Sequence, residues 1–218
     1  MMAHSKLSRA TALWAALVRP VRKLIQDRQG VAATEVGLMM PVIMLLILGG
    51  SEAGRYILAH QKTAGLASLT ADLVAQADEG EIRESEIADI FDAAPNVVEP
   101  YTFAGKGRLV ISAIVTDGDG TNRIAWQRCS PLPDAVPDTI AANAISQLGV
   151  PGTTNVDLPG DLVLNDGQNA IVAEAYLMWE PLALSDRFAA DLLRYTAVFR
   201  PRFEDIREVI ADTTPNDC

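Results

Sequence analysis

The stretch that decides the fold is Val31–Gly50, VAATEVGLMMPVIMLLILGG, the most apolar run in the chain. Sixteen uncharged residues separate Glu35 from Glu52. An α-helix of about 20 residues spans about 30 Å, which matches the hydrocarbon core of a bilayer. The stretch therefore predicts one transmembrane helix over residues 31–50. The alternative is a buried core helix of a soluble protein.

The net charge changes sign across this stretch. Residues 1–30 carry six basic side chains and one acid, a net charge of +5, whereas the remaining 188 residues carry 12 basic and 27 acidic side chains, a net charge of −15. Basic residues that precede a spanning segment hold that end in the cytoplasm. We therefore expect a single-pass membrane protein, with a cytoplasmic leader over 1–30 and a domain over 79–218 on the other side of the membrane.

The composition of the whole chain excludes several classes of protein. The chain has 218 residues, of which 49% are apolar, so it is not disordered throughout. Its overall net charge of −10 argues against general nucleic-acid binding, because phosphates require cations. Two Cys are too few for a disulfide-dense scaffold, and only one of the two His lies outside the first 30 residues, so a four-ligand zinc site of two Cys and two His is not expected.

No catalytic constellation is present in the sequence. His4 lies in the leader, and the neighbours of His60 suggest that it lies on a solvated helix face. There is no phosphate-binding P-loop and no Rossmann glycine motif. The acidic pairs Glu84/Glu86 and Asp89/Asp92 are typical of solvated helix faces. We therefore expect no enzyme activity, no cofactor and no metal site.

A processing motif stands at the entrance to the apolar stretch. The leader ends at Gly30, the helix begins at Val31, and Glu35 is the fifth residue after the glycine. A carboxylate this close to hydrocarbon is costly unless it finds a partner. Cleavage after Gly30 would free the α-amino group of Val31 one helical turn from Glu35, in the same chain or in a neighbour. The alternative is an interfacial carboxylate in an unprocessed anchor.

A second cleavage position remains open at the other end of the stretch. Ser51-Glu52-Ala53 has small residues where signal peptidase requires them, and a cut there would leave a chain that starts at Gly54. This interpretation treats residues 31–50 as a signal sequence rather than an anchor. The long basic leader favours the anchor.

Residues 28–77 resemble the N-terminal region of TadE/TadG-like pseudopilins, the minor pilin-like proteins of tight-adherence (Tad, or Flp) pili. The shared points are Arg28 before Gly30, the recognition glutamate Glu35, Pro41 in the apolar run, and the Glu52–Arg55 pair beyond it. The resemblance implies cleavage of the Gly30–Val31 bond by prepilin peptidase on the cytoplasmic face. It also implies that Pro41 is a packing feature and that the partners are other pilin-like subunits and the Tad machinery. The location implied by the resemblance is the bacterial inner membrane, with the domain over 79–218 in the periplasm.

The helix is predicted to continue beyond the membrane over residues 51–78. Glu52 and Arg55 are three residues apart, so they can pair on one face. An apolar stripe then follows at spacings of three and four residues, formed by Leu66, Leu69, Leu73 and Ala77. This stripe packs either on the protein's own C-terminal domain or on the helix of another pilin-like subunit.

Residues 79–218 predict an α+β domain with an antiparallel sheet of about four strands. We expect strands at 108–116, 123–128, 162–164, 170–179 and 195–200, short helices at 81–93, 138–149 and 185–193, loops at Pro95 and Pro100, and a tail at 203–210. The turn at 117–122 resembles a calcium loop. However, Arg128 stands where a bidentate Glu is required, so a plain turn is favoured. The complete fold is pilin-like: one long N-terminal helix followed by this domain.

Two cysteines, Cys129 and Cys218, lie on the side of the membrane where disulfides persist. A bond between them would close a loop of about 90 residues and tie the last residue of the sequence to the first hairpin. Two free thiols and an intermolecular bond are the alternatives.

The sequence thus favours a minor pseudopilin that acts in assembly of a Tad/Flp pilus, through helix packing and an acidic periplasmic domain. The competing hypothesis is an unprocessed, single-span protein whose periplasmic domain is a binding or scaffold module.

Overall fold

A computed structural model of the chain describes residues 29–77, 81–131, 144–182, 190–202 and 208–218. The chain divides into two compact units, Met1–Ser51 and Glu52–Cys218. Helix α1 covers Gln29–Ala75 and contains Pro41. Its side chains from residue 30 to residue 51 are all exposed.

Helix α1 has the properties of a membrane span. Within the described ranges, one helix is long and apolar enough to cross a bilayer, over Gly30–Ala75. Its most apolar window has a mean hydropathy of 2.2 and buries no residue within the protein. This supports anchoring by a single N-terminal span.

The second unit is built on a four-stranded antiparallel sheet. Its strands are β2 (Gly107–Thr116), β3 (Asn122–Cys129), β4 (Asn169–Trp179) and β5 (Asp191–Phe199), in the spatial order β3-β2-β4-β5. Two short strands, β1 (Ile82–Arg83) and β6 (Val209–Ile210), pair in parallel. The unit also contains helix α2 (Glu84–Val98) and a 3-10 turn at Pro159–Asp161. The predicted α+β class, with a long helix ahead of about four antiparallel strands, is confirmed.

The two central strands are buried on both faces, which explains their nearly continuous apolar sequences. On one face, strand residues such as Ile111 join a cluster with α1 and α2 that includes Leu66, Val74, Ile87 and Phe91. On the other face, Ile114 and Val172 pack against loop residues such as Val156 and Leu158. The sheet therefore has helices on one side and a long loop on the other.

The domain covers only part of the predicted apolar stripe of α1. Leu66 is buried, but Leu69 and Leu73 are 44% and 46% exposed. The buried face is formed mainly by small side chains: Ala59, Thr63, Leu66, Ala67, Thr70, Ala71, Val74 and Ala75. Small residues let the helix approach the domain closely. The domain therefore packs mainly against the small side chains of α1 rather than against its leucines.

The predicted start and end of α2 were wrong. The helix covers Glu84–Val98 rather than residues 81–93, because the side chain of Glu86 accepts a hydrogen bond from the backbone N–H of Arg83 at 2.9 Å and fixes the start. Pro95, which was expected in a loop, lies inside the helix.

Three further predictions concern the C-terminal half. Residues 162–164 form no strand, whereas Leu193 belongs to β5 rather than to the predicted helix at 185–193. Residues 185–189 of that helix and residues 138–143 of the predicted helix at 138–149 lie outside the described residues. Residues 144–149 are described and are not helical. Gly167 has a φ of 78°, and this left-handed conformation allows the tight turn before β4.

Candidate functional site

The residues of the processing motif lie in the first turns of α1. Gly30, Val31 and Glu35 are all exposed. Val31 and Glu35 are four residues apart in a continuous helix, so their side chains lie on the same face. A carboxylate is therefore held one turn from the residue that would become the N-terminus after cleavage at Gly30. Cleavage itself stays a prediction.

Pro41 lies within α1 without ending it. Its ring nitrogen cannot donate to the carbonyl oxygen of Gly37, so one backbone acceptor in the apolar segment lacks its usual donor. In hydrocarbon such an acceptor is satisfied by a neighbouring helix or by local adjustment. The packing role predicted for Pro41 fits this chemistry and stays a prediction.

Glu52 and Arg55 each contact another part of the second unit. Glu52 is 8% exposed, and its Oε1 accepts a hydrogen bond from the backbone N–H of Leu182 at 2.8 Å. The guanidinium of Arg55 lies 5.9 Å from the ring centroid of Tyr101. The phenol of Tyr101 in turn donates a hydrogen bond to the backbone carbonyl of Arg55. The predicted Glu52–Arg55 ion pair stays a prediction.

An aromatic cluster, Tyr56, His60, Trp179 and Tyr195, joins α1 to the sheet. Neighbouring rings meet edge to face, with centroids 4.3 Å apart for Tyr56 and His60 and 4.9 Å apart for Tyr56 and Trp179. The ring nitrogen Nδ1 of His60 is 2.8 Å from the hydroxyl of Tyr195. Tyr56 donates a hydrogen bond to the carboxylate of Asp191 at 2.9 Å. The expectation of a solvated His60 was therefore wrong.

Replacing Tyr195 by phenylalanine should weaken this contact between helix and sheet. The variant loses the hydroxyl that bonds to His60 and keeps the ring packing, so the free energy of unfolding should fall by about 1 kcal/mol. Urea unfolding of the full chain in detergent measures the difference. Gln61→Ala, at the exposed position beside His60, is the control and should leave stability within about 0.5 kcal/mol of wild type. Equal stability of both variants would contradict a structural role for the hydrogen bond.

A buried ion pair fixes α2 to the end of β3. Glu84 has a side chain that is 1% exposed, and both of its oxygens accept from Nε of Arg128, at 2.9 and 3.0 Å. Hydrogen bonding to Glu84 raises the pKa of Arg128 above its usual value. The prediction of a solvated face was wrong for Glu84. It is confirmed for the other acids of the two pairs, Glu86, Asp89 and Asp92, which are exposed.

The C-terminal residues pack against the end of β3, next to the Glu84–Arg128 ion pair. Cys129 and Cys218 form a disulfide, with their Cα atoms 5.0 Å apart. The backbone N–H of Cys129 donates to the carbonyl of Asn216 at 2.9 Å, and Asp217 pairs with Nη1 of Arg128 at 3.0 Å. Residues 216–218 thus cover the end of β3, which is an edge strand of the sheet.

The start of α2 is capped by Asp212. The carboxylate accepts from the hydroxyl and the backbone N–H of Ser85, at 2.6 and 3.0 Å. The hydroxyl contributes most to lowering the pKa of Asp212 below its usual range. A carboxylate beside a helix N-terminus also interacts favourably with the helix dipole. The tail is therefore attached to the domain by polar contacts as well as by the disulfide.

The loop at 117–122 is a plain turn. Both oxygens of Asp117 accept from Nε of Arg123 at 3.0 Å, and Oδ1 of Asp119 accepts from the backbone N–H of Thr121 at 3.0 Å. The two carboxylates are thus held by groups of the turn itself. Across the described ranges, no group of three or more His, Cys, Asp or Glu side chains is placed to hold a metal ion.

The side of α1 that faces away from the domain carries an outer stripe, which we define as Leu58, Leu69 and Leu73. These side chains are 37%, 44% and 46% exposed. The backbone of Gly65 lies between them, and a Cβ atom added there would meet nothing within 4 Å. Two leucines of the predicted stripe therefore belong to the face that the domain leaves uncovered.

Comparison with known proteins identifies the N-terminal region of the chain. Residues 30–72 match the family model described as TadE-like protein. No curated protein and no solved structure matches the chain. The resemblance to the TadE-like family is confirmed over the matched residues. The match supports a component that is associated with the Tad pilus and with a membrane.

Proposed function

We propose that this chain, with its TadE-like N-terminal segment, is a minor pseudopilin of a Tad/Flp-type pilus. Prepilin peptidase removes the leader, residues 1–30, at the cytoplasmic face of the inner membrane by cleaving the Gly30–Val31 bond. The mature protein then acts in assembly, with its acidic domain in the periplasm. The single observation that carries the proposal is the Gly30/Glu35 spacing at the start of an exposed apolar helix within the TadE-like match.

The chemistry of Glu35 supports this processing. In the precursor, the carboxylate lies at the edge of the apolar segment next to a peptide bond. After cleavage, the new α-amino group of Val31 carries a positive charge one helical turn away. An ion pair between these groups, within one chain or between neighbours, compensates the cost of a carboxylate in hydrocarbon. Processing also removes the basic leader that holds this end of the helix in the cytoplasm, so the helix is easier to withdraw from the bilayer and to pack with others.

The outer stripe of α1 supports packing with other pilin-like subunits. One face of the helix holds the domain through small residues, while the leucines of the outer stripe are exposed on another face. An exposed apolar stripe on a helix is the feature that a partner helix covers. The same helix therefore serves both the domain's core and a second subunit.

Glu35→Ala tests the role of the carboxylate. The variant should insert into the membrane as wild type does, because the change removes a charge from an apolar helix. Surface pili should fall about tenfold or more, because the α-amino group of Val31 loses its counter-charge in an apolar environment. Membrane fractionation and quantitative immunodetection of sheared pili measure the two effects.

Thr34→Ala is the matched control for this experiment. Thr34 is adjacent and exposed, and its hydroxyl bonds to the carbonyl of Val31 at 2.8 Å, within the helix itself. This variant should assemble pili at about the wild-type level. Wild-type piliation in Glu35→Ala would contradict the role that we give to Glu35.

A further inference from the structure

A cavity of about 890 Å³ lies beside β3, next to the disulfide. This volume falls within the range of about 300–1,000 Å³ that is typical of small-molecule sites. Its lining includes Arg108 from β2, Trp126 from β3, and three apolar residues of the following loop, Ile145, Val150 and Pro151. The cavity therefore combines a cationic group with an apolar wall.

Two acids near the cavity, among the residues that the structure describes, already have partners. Asp217 lines the cavity and pairs with Nη1 of Arg128 at 3.0 Å. Glu174 contacts a lining residue, because its Oε2 accepts from the hydroxyl of Ser146 at 2.5 Å. Its other oxygen accepts from the backbone N–H of Gln147 and from the phenol of Tyr176. These carboxylates are therefore committed to groups other than Arg108.

Two buried donors in the lining residues lack acceptors. Nε of Arg108 and Nε1 of Trp126 have no hydrogen-bond partner among the residues that the structure describes. Burial lowers the pKa of Arg108, although a guanidinium keeps its charge at neutral pH. A buried cation and a buried N–H group without acceptors are both costly. Trp126 belongs to the core cluster on the helix side of the sheet, so the group that a ligand would satisfy is the charge of Arg108.

We propose that this cavity binds an organic carboxylate with an apolar body. Arg108 is the cation that recognises the carboxylate. Ile145, Val150 and Pro151 cover the apolar part of the ligand. The carboxylate belongs either to a free organic acid or to the C-terminus of a peptide, since both present the same group. This binding site is independent of leader cleavage and of the outer stripe.

The test uses the full chain in detergent and two fluorinated probes observed by 19F NMR. 4-Fluorobenzoate represents a free acid, and N-acetyl-alanyl-4-fluorophenylalanine represents a peptide C-terminus. The primary amide of each probe is its control, because it keeps the body and lacks the charge. We expect line broadening for at least one carboxylate and none for its amide. The probe that binds identifies the source. Binding of neither carboxylate, or equal binding of acid and amide, would overturn the proposal.

Variants assign the binding to the cavity. Arg108→Gln should weaken binding at least about tenfold, because it removes a charged hydrogen-bond donor. Arg123→Gln is the matched control, since Arg123 is a half-exposed cation of β3 that pairs with Asp117, and it should bind as wild type does. If Arg108→Gln fails to fold, Val150→Trp tests the same point, because its exposed side chain can fill the cavity without changing Arg108. Undiminished binding in whichever of these cavity variants folds would overturn the proposal.

A last pair of substitutions addresses occupation of the cavity by the chain itself. Asp134 and Asp138 lie in the segment that connects β3 to residue 144. Asp134→Asn/Asp138→Asn should leave the affinity for the probe unchanged if the cavity is open to an external acid. An increase of about tenfold would mean that the chain's own carboxylate holds Arg108, and this would overturn the proposal.

Discussion

Replacing Cys129 and Cys218 by alanine should lower the free energy of unfolding of the second unit by about 4–5 kcal/mol. The disulfide joins residues that are 89 positions apart, so its loss frees a long loop in the unfolded chain. In the folded protein, it also holds the residues that cover the end of β3 through the Asn216 and Asp217 contacts. Urea unfolding of the full chain in detergent, followed by the fluorescence of Trp126 and Trp179, measures the change.

Single substitutions provide the control for this prediction. Cys218→Ala alone, with the remaining thiol alkylated, should lose about as much stability as the double variant, because either change removes the whole crosslink. Reduction of the wild-type protein should give a similar loss. A loss below about 1 kcal/mol in the double variant would contradict a structural role for the disulfide.

Glu84→Ala should destabilise the same unit by about 3–5 kcal/mol, because it leaves the half-buried guanidinium of Arg128 without its main counter-charge. The side chain of Glu84 is 1% exposed. Asp217, the other acid that pairs with Arg128, is 76% exposed, so it does not supply a buried counter-charge in place of Glu84. The same unfolding experiment measures the loss. The effect should persist at high salt, since buried pairs are screened far less than exposed ones.

Asp89→Ala is the matched control on the same helix. Asp89 is an exposed acid of α2, and its removal should change stability by no more than about 0.5 kcal/mol. The double variant Glu84→Ala/Arg128→Ala should be more stable than Glu84→Ala alone, because it leaves no unpaired cation. Equal stability of Glu84→Ala and Asp89→Ala would show that the buried pair contributes nothing.

The strands of the sheet were predictable because their own residues specify them. Residues 108–116 and 170–179 are rich in β-branched and other apolar side chains and are bounded by turn residues, so their positions agree with β2 and β4 to within one residue. The long apolar helix was predictable for the same reason, since a long uncharged run specifies it locally. The Glu35 motif is also local, and the match to the TadE-like family covers it.

The packing of α1 was harder to predict because hydropathy favours leucine over alanine. The domain buries Ala59, Ala67 and Ala71 and leaves Leu69 and Leu73 exposed. Periodicity shows that a helix has an apolar stripe, but it does not show which of two stripes meets the domain. A chain whose helix serves both its own core and a partner has two such stripes, and the sequence alone does not rank them.

The polar contacts of the domain were missed because they join distant residues. Glu84 and Arg128 are 44 residues apart, and His60 and Tyr195 are 135 apart. An acid in a short helix therefore looked solvated, as did a histidine beside Gln61 and Lys62. The spacing of Tyr56 and His60, one helical turn apart, was the available signal for the aromatic cluster. The strand that carries Tyr195, the partner of His60, could be identified only from the fold.

The central claim is cleavage of the leader, and the most direct measurement is the intact mass and N-terminal sequence of the protein extracted from membranes. The pseudopilin account predicts a mature chain that starts at Val31. A chain that starts at Met1 would mean an unprocessed anchor, and one that starts at Gly54 would mean a signal peptide. Either of these results would contradict the account.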